Sequence, residues 1–331
     1  MTATKYDVLA IGNAIVDVIA DADDAFIEAQ SLNKGGMTLI DADRAQTLYE
    51  AMGPGREISG GSAANTLAGL ARLGHKTAFI GQVANDQLGQ VFAHDVRAGG
   101  IDFTVLPREA EPPTGRCLIL VTPDGQRTMN TFLGAAQHLP ESALDKAKIE
   151  AAAWLYLEGY LWNAPESRAA MTGAIRVAKA AGRKVALTLS DAFVVHGHRD
   201  EFFELIDAGQ IDLLFANDTE VRAMMQDEDI EAAVAALAAR VPTLVCTHGA
   251  AGAEAHHGGE HARVPAEPVA AVVDTTGAGD LFAAGVFAGL AQGRSLADCL
   301  TMGAVCAAEV ISHYGARPEK DLAELVKVRL G

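Results

Sequence analysis

Short apolar runs recur along the chain at spacings that leave room for a helix between them, and this alternation sets the fold class. Residues 6–11 form an apolar run ending at Gly12, the pattern of a buried strand that opens an α/β sheet. A second extended stretch, 13–20, carries a lone acid, Asp17, among β-branched neighbours. Further on, the pattern predicts a short strand over 37–40, a helix over 43–52 closed by Gly53-Pro54-Gly55, and a helix over 66–73 stopped by Gly74. It continues with a central strand over 76–83 and a helix over 87–98 ended by Gly99-Gly100. From Ile101 the period changes to two, and 115–121 and 127–133 predict strands joined by the turn-rich Thr122-Pro123-Asp124-Gly125-Gln126. After Pro140, apolar runs at 154–157, 185–189, 213–216 and 244–247 alternate with helical segments such as 167–181 and 230–240. This is an α/β chain with a doubly wound, mostly parallel sheet flanked by helices, and ligands are expected at the carboxyl ends of its strands.

The same pattern divides the chain into a large α/β domain over 1–12, 45–100 and 134–331 and a small β-sheet lid over 13–44 and 101–133. Strand 115–121 carries apolar residues on both faces, Leu118 and Leu120 against Cys117, Ile119 and Val121. A lid needs only one such face, so the other predicts either packing on the main domain or a homodimer through this sheet.

Composition narrows the partners. In 331 residues, half of them apolar, 26 Lys and Arg face 43 Asp and Glu for a net charge of -17, which argues against nucleic acid or an anionic membrane. It leaves room for a nucleotide, which needs only a local positive field and a metal ion. Cys117, Cys246, Cys299 and Cys306 are widely spaced among apolar residues and read as reduced core thiols of a soluble, cytoplasmic protein. No secretory leader and no run of about 18 uncharged apolar residues stands out.

The candidate chemistry gathers on Val273-Asp274-Thr275-Thr276-Gly277-Ala278-Gly279-Asp280-Leu281-Phe282, where a turn of small residues precedes an apolar helix over 281–290. The first amides of a helix lack intrahelical partners and lie at the positive end of its dipole, so an almost bare turn lets an anion such as phosphate approach the backbone. A carboxylate beside an anion site is repelled by the anion, and Asp280 is then explained as a base for an attacking hydroxyl. The plainer reading is a loop whose acid caps the helix. Gly60-Gly61-Ser62-Ala63-Ala64-Asn65 is a second glycine turn before a helix. Its amides can touch a ligand with Asn65 on the same face, or the turn is merely tight and Asn65 meets solvent. Asp17 is either a solvated edge residue or an acceptor for vicinal hydroxyls. At the strand ends stand Ser190-Asp191, Asn217-Asp218-Thr219-Glu220 and Thr247-His248-Gly249. Asn217 and Glu220, three apart, share a face at a helix start, either to hold a hydrated Mg²⁺ or as an N-capping cluster.

Other chemistries are absent from the pattern. The first strand lacks GxGxxG, there is no GxxxxGK[ST] or HExxH, and Ala64 stands where a GxSxG elbow needs its second glycine. His256, His257 and His261 near Gly258-Gly259 read as a polar hairpin loop, and His248 and His313 have no evident partner.

The two glycine motifs, in this order, resemble the C-terminal and N-terminal signatures of the ribokinase and PfkB carbohydrate kinase superfamily, and the resemblance covers nearly the whole chain. Within it the sequence is most similar to the adenosine kinases, through Gly12-Asn13-Ala14-Ile15-Val16-Asp17, Pro113-Thr114-Gly115-Arg116-Cys117, Asp212-Leu213-Leu214-Phe215-Ala216-Asn217-Asp218-Thr219-Glu220 and Thr188-Leu189-Ser190-Asp191-Ala192-Phe193. The resemblance implies a ribokinase-like fold and transfer of the ATP γ-phosphoryl to a nucleoside 5′-hydroxyl, adenosine giving AMP. In it Asp280 is the base, Gly277, Ala278 and Gly279 are the anion hole, and Arg127 is a lid arginine that reaches the phosphates. Asn13, Asp17, Gly60, Gly61 and Asn65 would bind the sugar, Tyr160 and Phe193 would flank the base, and Met129 and Thr131 would lie on the lid face. Asn217 and Glu220 would organise Mg²⁺ through water, Thr247 and Gly249 would line the ATP side, and a monovalent cation, usually K⁺, would lie near Asp274 and the Gly315 loop. A free-sugar kinase of the same superfamily, acting on ribose, fructose or a related sugar, is the alternative, and a non-catalytic nucleoside sensor a further one. The chain departs from the adenosine kinases at Asp191, where they have Ala, at Ala192 for Pro, and at Tyr160 for a frequent Phe. These departures bear on the base and leave phosphoryl transfer untouched.

Overall fold

The computed structural model describes residues 4–109 and 111–331. In chain order its strands are β1 (Tyr6–Ile11), β2 (Ile15–Asp21), β3 (Met37–Leu39), β4 (Arg56–Gly60), β5 (Thr77–Ile80), β6 (Ile101–Phe103) and β7 (Thr114–Val121). Then follow β8 (Arg127–Gly134), β9 (Ala152–Glu158), β10 (Lys184–Thr188), β11 (Leu213–Asn217), β12 (Thr243–Thr247), β13 (Ala253–His257) and β14 (Glu260–Val264). Nine of them form one sheet in the order β14-β13-β12-β11-β10-β9-β1-β5-β6. The strands from β6 across to β12 run parallel, and β13 and β14 add an antiparallel edge. The chain leaves β1 toward β5 and β6, then returns to build outward from β9, so the strand order reverses beside β1. Such a switch point opens a crevice at the carboxyl ends of the strands.

Helices cover both faces of this sheet, as the long apolar runs require. Val8 and Ala10 of β1 enter a core that includes Phe79, Phe215 and Phe287, whereas Leu9 and Ile11 enter the opposite core with Leu155, Leu157 and Leu187. The four cysteines are buried and unpaired. Among the described residues no helix is long and apolar enough to cross a membrane.

The remaining five strands form the small sheet, in the order β3-β8-β7-β2-β4. Its membership corrects the predicted division in two places. Arg56–Gly60, placed with the large domain, is an edge strand of the small sheet, where Ile15 stands opposite Gly60. Ile101–Phe103, placed with the lid, pairs with β5 at the edge of the large one. Strands of three to five residues carry too few positions to show a period. The two apolar faces of β7 are both covered within one chain, since Leu118 and Leu120 join the core while Cys117 and Ile119 line a cleft. The pattern that suggested a second subunit is therefore met by packing on the main domain.

One helix, Ala278–Ala291, is apolar all round and is buried accordingly. Its neighbours approach so closely that only glycine fits between them. A β-carbon at Gly285 would lie 2.4 Å from the carbonyl carbon and oxygen of Met302 in helix Leu296–Val310. Because the obstruction is backbone, Gly285→Ala is expected to force the two helices apart, costing the roughly 1–3 kcal/mol of stability typical of overpacking and lowering the urea midpoint accordingly. An unchanged midpoint would show that the pair is loosely seated.

Candidate active site

Helix Ala278–Ala291 opens on Gly277, whose left-handed backbone (φ 79°) turns the chain without a side-chain cap. A β-carbon there would lie 2.6 Å from that of Ala316, so conformation and space both demand glycine. Thr276, Gly277, Ala278 and Gly279 line one wall of a cleft of about 660 Å³ at the carboxyl ends of the large sheet, beneath the small one. Nothing would meet a β-carbon at Gly279 within 4 Å. The Ala278 amide, expected in the anion hole, is taken by Thr275 O at 3.2 Å, so an anion at this helix start would be received by the amides of Gly277 and Gly279.

Asp280 lies in the first turn of the same helix and lines the same cleft. Its Oδ1 accepts from Ser62 Oγ at 2.6 Å and its Oδ2 from Asn65 Nδ2 at 3.0 Å. Both donors belong to helix Ser62–Arg72, which starts at the left-handed Gly61 (φ 92°). Burial raises the Asp280 pKa, while the two hydrogen bonds and the charge of Arg317 oppose the rise. A carboxylate oriented in this way beside an anion site can take a proton from a hydroxyl. It caps nothing, because no side chain caps this helix.

Asp17 enters the cleft from β2 and accepts no hydrogen bond from a described residue. Burial pushes its pKa up to about 6, against the pull of Arg317 and Arg127. Asn13 follows β1 and gives its Nδ2 proton to Glu158 Oε1 at 2.6 Å, while Glu158 Oε2 accepts from the amides of Asn13 and Ala63. Asn13 Oδ1 and Asn65 Oδ1 are buried without partners. With Asp17 they make three unclaimed acceptors on one side of the cleft, a set that suits ligand hydroxyls.

The opposite end is aromatic. Tyr160 and Phe193 lie with ring centroids 6.1 Å apart, and Met129 and Thr131 of β8 face the same space. Burial, with Asp191 and other acids, pushes the Tyr160 hydroxyl up. Asn217, Glu220 and Thr247 line the cleft at the ends of β11 and β12. Asn217 and Glu220 form a full capping box, with Asn217 Oδ1 accepting the Glu220 amide at 3.0 Å and Glu220 accepting from Asn217 N and Nδ2. Capping does not exhaust Glu220, which is buried, faces the cleft and has its pKa raised to about 7 by burial and by Asp191.

Four expected residues stand off the cleft wall. Gly60 lies behind Asp17, where a β-carbon would meet Asp17 Oδ1 at 2.5 Å, and Gly249 starts the turn after Thr247. Arg127 and Asp274 form a buried ion pair. Arg127 Nη1 also donates to Thr276 Oγ1 at 3.2 Å, next to the bare helix start, and Asp274 further accepts the amides of Thr276 and Gly315.

Three residues of the site had no part in the sequence reading. Ser62 was visible inside a motif, and Glu158 as a lone acid ending a buried strand. Arg317 carried no signal, because its partners are 258 and 253 residues away. Its guanidinium donates to Ser59 O, Ser59 Oγ and Ala64 O, and burial lowers its pKa to about 10 while Asp17 and Asp280 oppose that.

A parallel sheet with a switch-point cleft, a bare helix start and an adjoining carboxylate define a phosphoryl-transfer enzyme of the ribokinase-like fold. The profile of the pfkB family carbohydrate kinases matches residues 7–322, and the chain belongs to that family. It is similar to the fructokinase of Klebsiella pneumoniae, 30% identical over 284 residues that cover 81% of this chain and 92% of that one. Among solved structures it is similar to the adenosine kinase of Sinorhizobium meliloti, with 47% identity, a TM-score of 0.91 and coverage of 98% and 99%. A probable sugar kinase of Rhizobium etli CFN 42 aligns as well, with 45% identity, a TM-score of 0.92 and the same coverage. The protein is thus an ATP-dependent kinase that phosphorylates a hydroxyl of a sugar or nucleoside.

Four acids with raised pKa values crowd this cleft, and the sign of their effect follows. Their protonated forms favour the folded state, so they contribute stability below about pH 4 that is lost as pH rises through about 6 for Asp17 and about 7 for Glu158 and Glu220. The ionised forms are the ones that can accept a proton or a hydroxyl hydrogen bond, so activity is expected to run the other way. The profile of kcat/KM is expected to fall as pH drops below about 7 and through about 6, and a profile flat to pH 5 would contradict it.

Proposed function

We propose that the enzyme is a nucleoside kinase that transfers the γ-phosphoryl group of ATP to the 5′-hydroxyl of adenosine, giving AMP. The observation that carries this reading is a single cleft with unclaimed acceptors at one end, an aromatic pair at the other, and Asp280 beside the open helix start. In the proposed mechanism Asp17, Asn13 and Asn65 accept hydrogen bonds from the ribose hydroxyls, with Gly60 and Gly61 leaving room for the chain to approach. Tyr160 and Phe193 hold the base, with Met129 and Thr131 closing over it from the small sheet. Asp280, held by Ser62 and Asn65, takes the 5′-hydroxyl proton as that oxygen attacks the phosphorus in line. The amides of Gly277 and Gly279 receive the growing negative charge, while Arg127, paired with Asp274, positions Thr276 beside them rather than reaching the phosphates itself. Thr247 and Gly249 border the donor nucleotide.

A buried acid facing the cleft with no basic partner suits an adjacent cation, and Glu220 meets that description. Asn217 and Glu220 would hold the water shell of Mg²⁺, which when bound with the nucleotide neutralises phosphate charge. Asp274, paired with Arg127, also accepts the amides of Thr276 and Gly315, which leaves its Oδ1 with acceptor capacity for a K⁺ ion between it and the Gly315 loop. The buried, unpaired cysteines support a reducing, cytoplasmic setting.

A free-sugar kinase is the second reading, favoured by the fructokinase relative and by the polar departures Asp191 and Tyr160. Turnover on adenosine, inosine, guanosine, ribose and fructose, each in K⁺ and in Na⁺, separates the two. Adenosine is expected to have the highest kcat/KM, with higher rates in K⁺ than in Na⁺. A preference for ribose or fructose would move the assignment to a sugar kinase, and no phosphorylated product from any acceptor would favour a sensor. Asp280→Asn is expected to lower kcat by about 10²- to 10⁴-fold, the usual range for loss of a general base, or ~3–5 kcal/mol. Near-full turnover would remove Asp280 from the chemistry.

A further inference from the structure

The histidines around Gly258-Gly259 are strand residues rather than loop residues. In the β13–β14 hairpin His256 stands directly opposite His261, and Glu254 lies two residues before His256, so all three side chains leave the same face of the sheet. The imidazoles stack with centroids 4.3 Å apart and planes 17° from parallel. Glu254 Oε2 lies 3.2 Å from His256 Nε2 and 2.7 Å from His261 Nε2, and one ligand atom from each residue falls within 4.8 Å of the others. His257, on the opposite face, is bonded to Thr243 and takes no part.

Glu254 is also fixed from behind. Its other oxygen, Oε1, lies 2.9 Å from His248 Nε2, and His248 Nδ1 bonds to Asp218. An acid oriented by an imidazole that is itself oriented by a second acid is the outer-shell arrangement that holds metal ligands in place. The site has an entry path, because Glu254 is buried while His256 is half-buried and His261 exposed.

We propose that Glu254, His256 and His261 bind a late first-row transition metal ion of the Zn²⁺ or Ni²⁺ type, outside the catalytic cleft. Two imidazoles and one carboxylate select such ions over Mg²⁺ or Ca²⁺, which take all-oxygen sets, and three protein ligands leave a position open to water. The neighbouring group of Asp218, Cys246 and His248 is the weaker competitor. Both nitrogens of His248 are already engaged, and burial, with Asp218 and Glu254 nearby, holds the Cys246 thiol protonated. The ion would clip the two antiparallel strands together at the exposed edge of the large sheet.

The test uses the full chain, freed of metal by chelation and titrated with Co²⁺ followed by visible absorption, then with Zn²⁺ by calorimetry. The expected result is one ion per chain with Co²⁺ bands of nitrogen and oxygen ligation, and a melting temperature raised by Zn²⁺. His261→Gln, at an exposed position where loss of the ring opens no cavity, is expected to weaken binding by about tenfold or more. His256→Gln should do the same, and His257→Gln should leave it unchanged. Melts of the metal-free variants confirm their folding. Equal binding by His261→Gln and the parent, no binding by the parent at millimolar ion, or a near-ultraviolet thiolate band placing the ion on Cys246 would each overturn the assignment.

Discussion

Two helix starts from opposite halves of the chain meet on one carboxylate, and the geometry of the cleft depends on that meeting. Ser62 and Asn65 reach Asp280 across 218 and 215 residues of sequence, and one turn further along, Gly69 admits Leu281 and Ala284 so closely that its β-carbon would lie 2.6 and 2.8 Å from them. The seating is therefore steric before it is polar. The positive ends of both helix dipoles point toward Asp280, which helps a half-buried acid to be ionised. A shift of about 1 Å in such a site can cost two orders of magnitude in rate, so rigid contacts between apolar residues are as much a part of the chemistry as the acid itself.

The charge distribution follows from the same crowding. A chain of net charge -17 collects Asp17, Glu158, Glu220 and Asp280 around a cleft that receives a polyanion. Two arginines counter them from different directions, the half-buried Arg317 from the C-terminal loop and the buried Arg127 from the small sheet. Arg317 contributes at a distance, because its own hydrogen bonds go to Ser59 and Ala64. The Arg127–Asp274 pair is a contact of another kind, joining the small sheet to the strap before the helix start. Removing one member of such a buried pair typically costs about 3–5 kcal/mol, because the other is left uncompensated. The lid is thus anchored at the same strap that forms the anion site.

Much of this was legible from local pattern. Parallel strands buried on both faces leave long apolar runs, and an apolar helix preceded by small residues announces an open N-terminus, so β1, β9 to β12 and the Gly277–Asp280 turn could be read directly. The failures share a physical cause. β4 and β6 are too short to show a period and are defined by partners far away in sequence. Arg317 is meaningful only once Ser59 and Ala64 are beside it. Asn217 and Glu220 form the capping box that was one of the two readings offered for them, and because a ligand pair uses the same spacing, pattern alone could not separate the two. The histidines at 256 and 261 were partly readable, since a Gly-Gly turn at 258–259 fixes their opposition, but Glu254 joins them only through the face rule for strands.

The length of the cleft bears on what fills it. A free sugar could satisfy Asp17, Asn13 and Asn65, and it would leave the Tyr160–Phe193 end in water. Each aromatic ring buried by a ligand removes apolar surface worth on the order of 25 cal/mol per Å², and a planar base covers two such rings at little entropic cost. The two ends also differ in kind, because hydroxyl acceptors at one end fix orientation while the rings at the other tolerate any flat heterocycle. Discrimination among bases must then come from the polar departures beside the rings. Asp191 is committed as the N-cap of helix Ala192–Asp207, accepting the Phe193 amide at 3.0 Å, and it leaves the Tyr160 hydroxyl as the freer polar group on that wall. In the proposed reading, recognition of the sugar is built into the backbone turns, while recognition of the base rests on a few side chains that a relative with another acceptor could exchange without disturbing the fold.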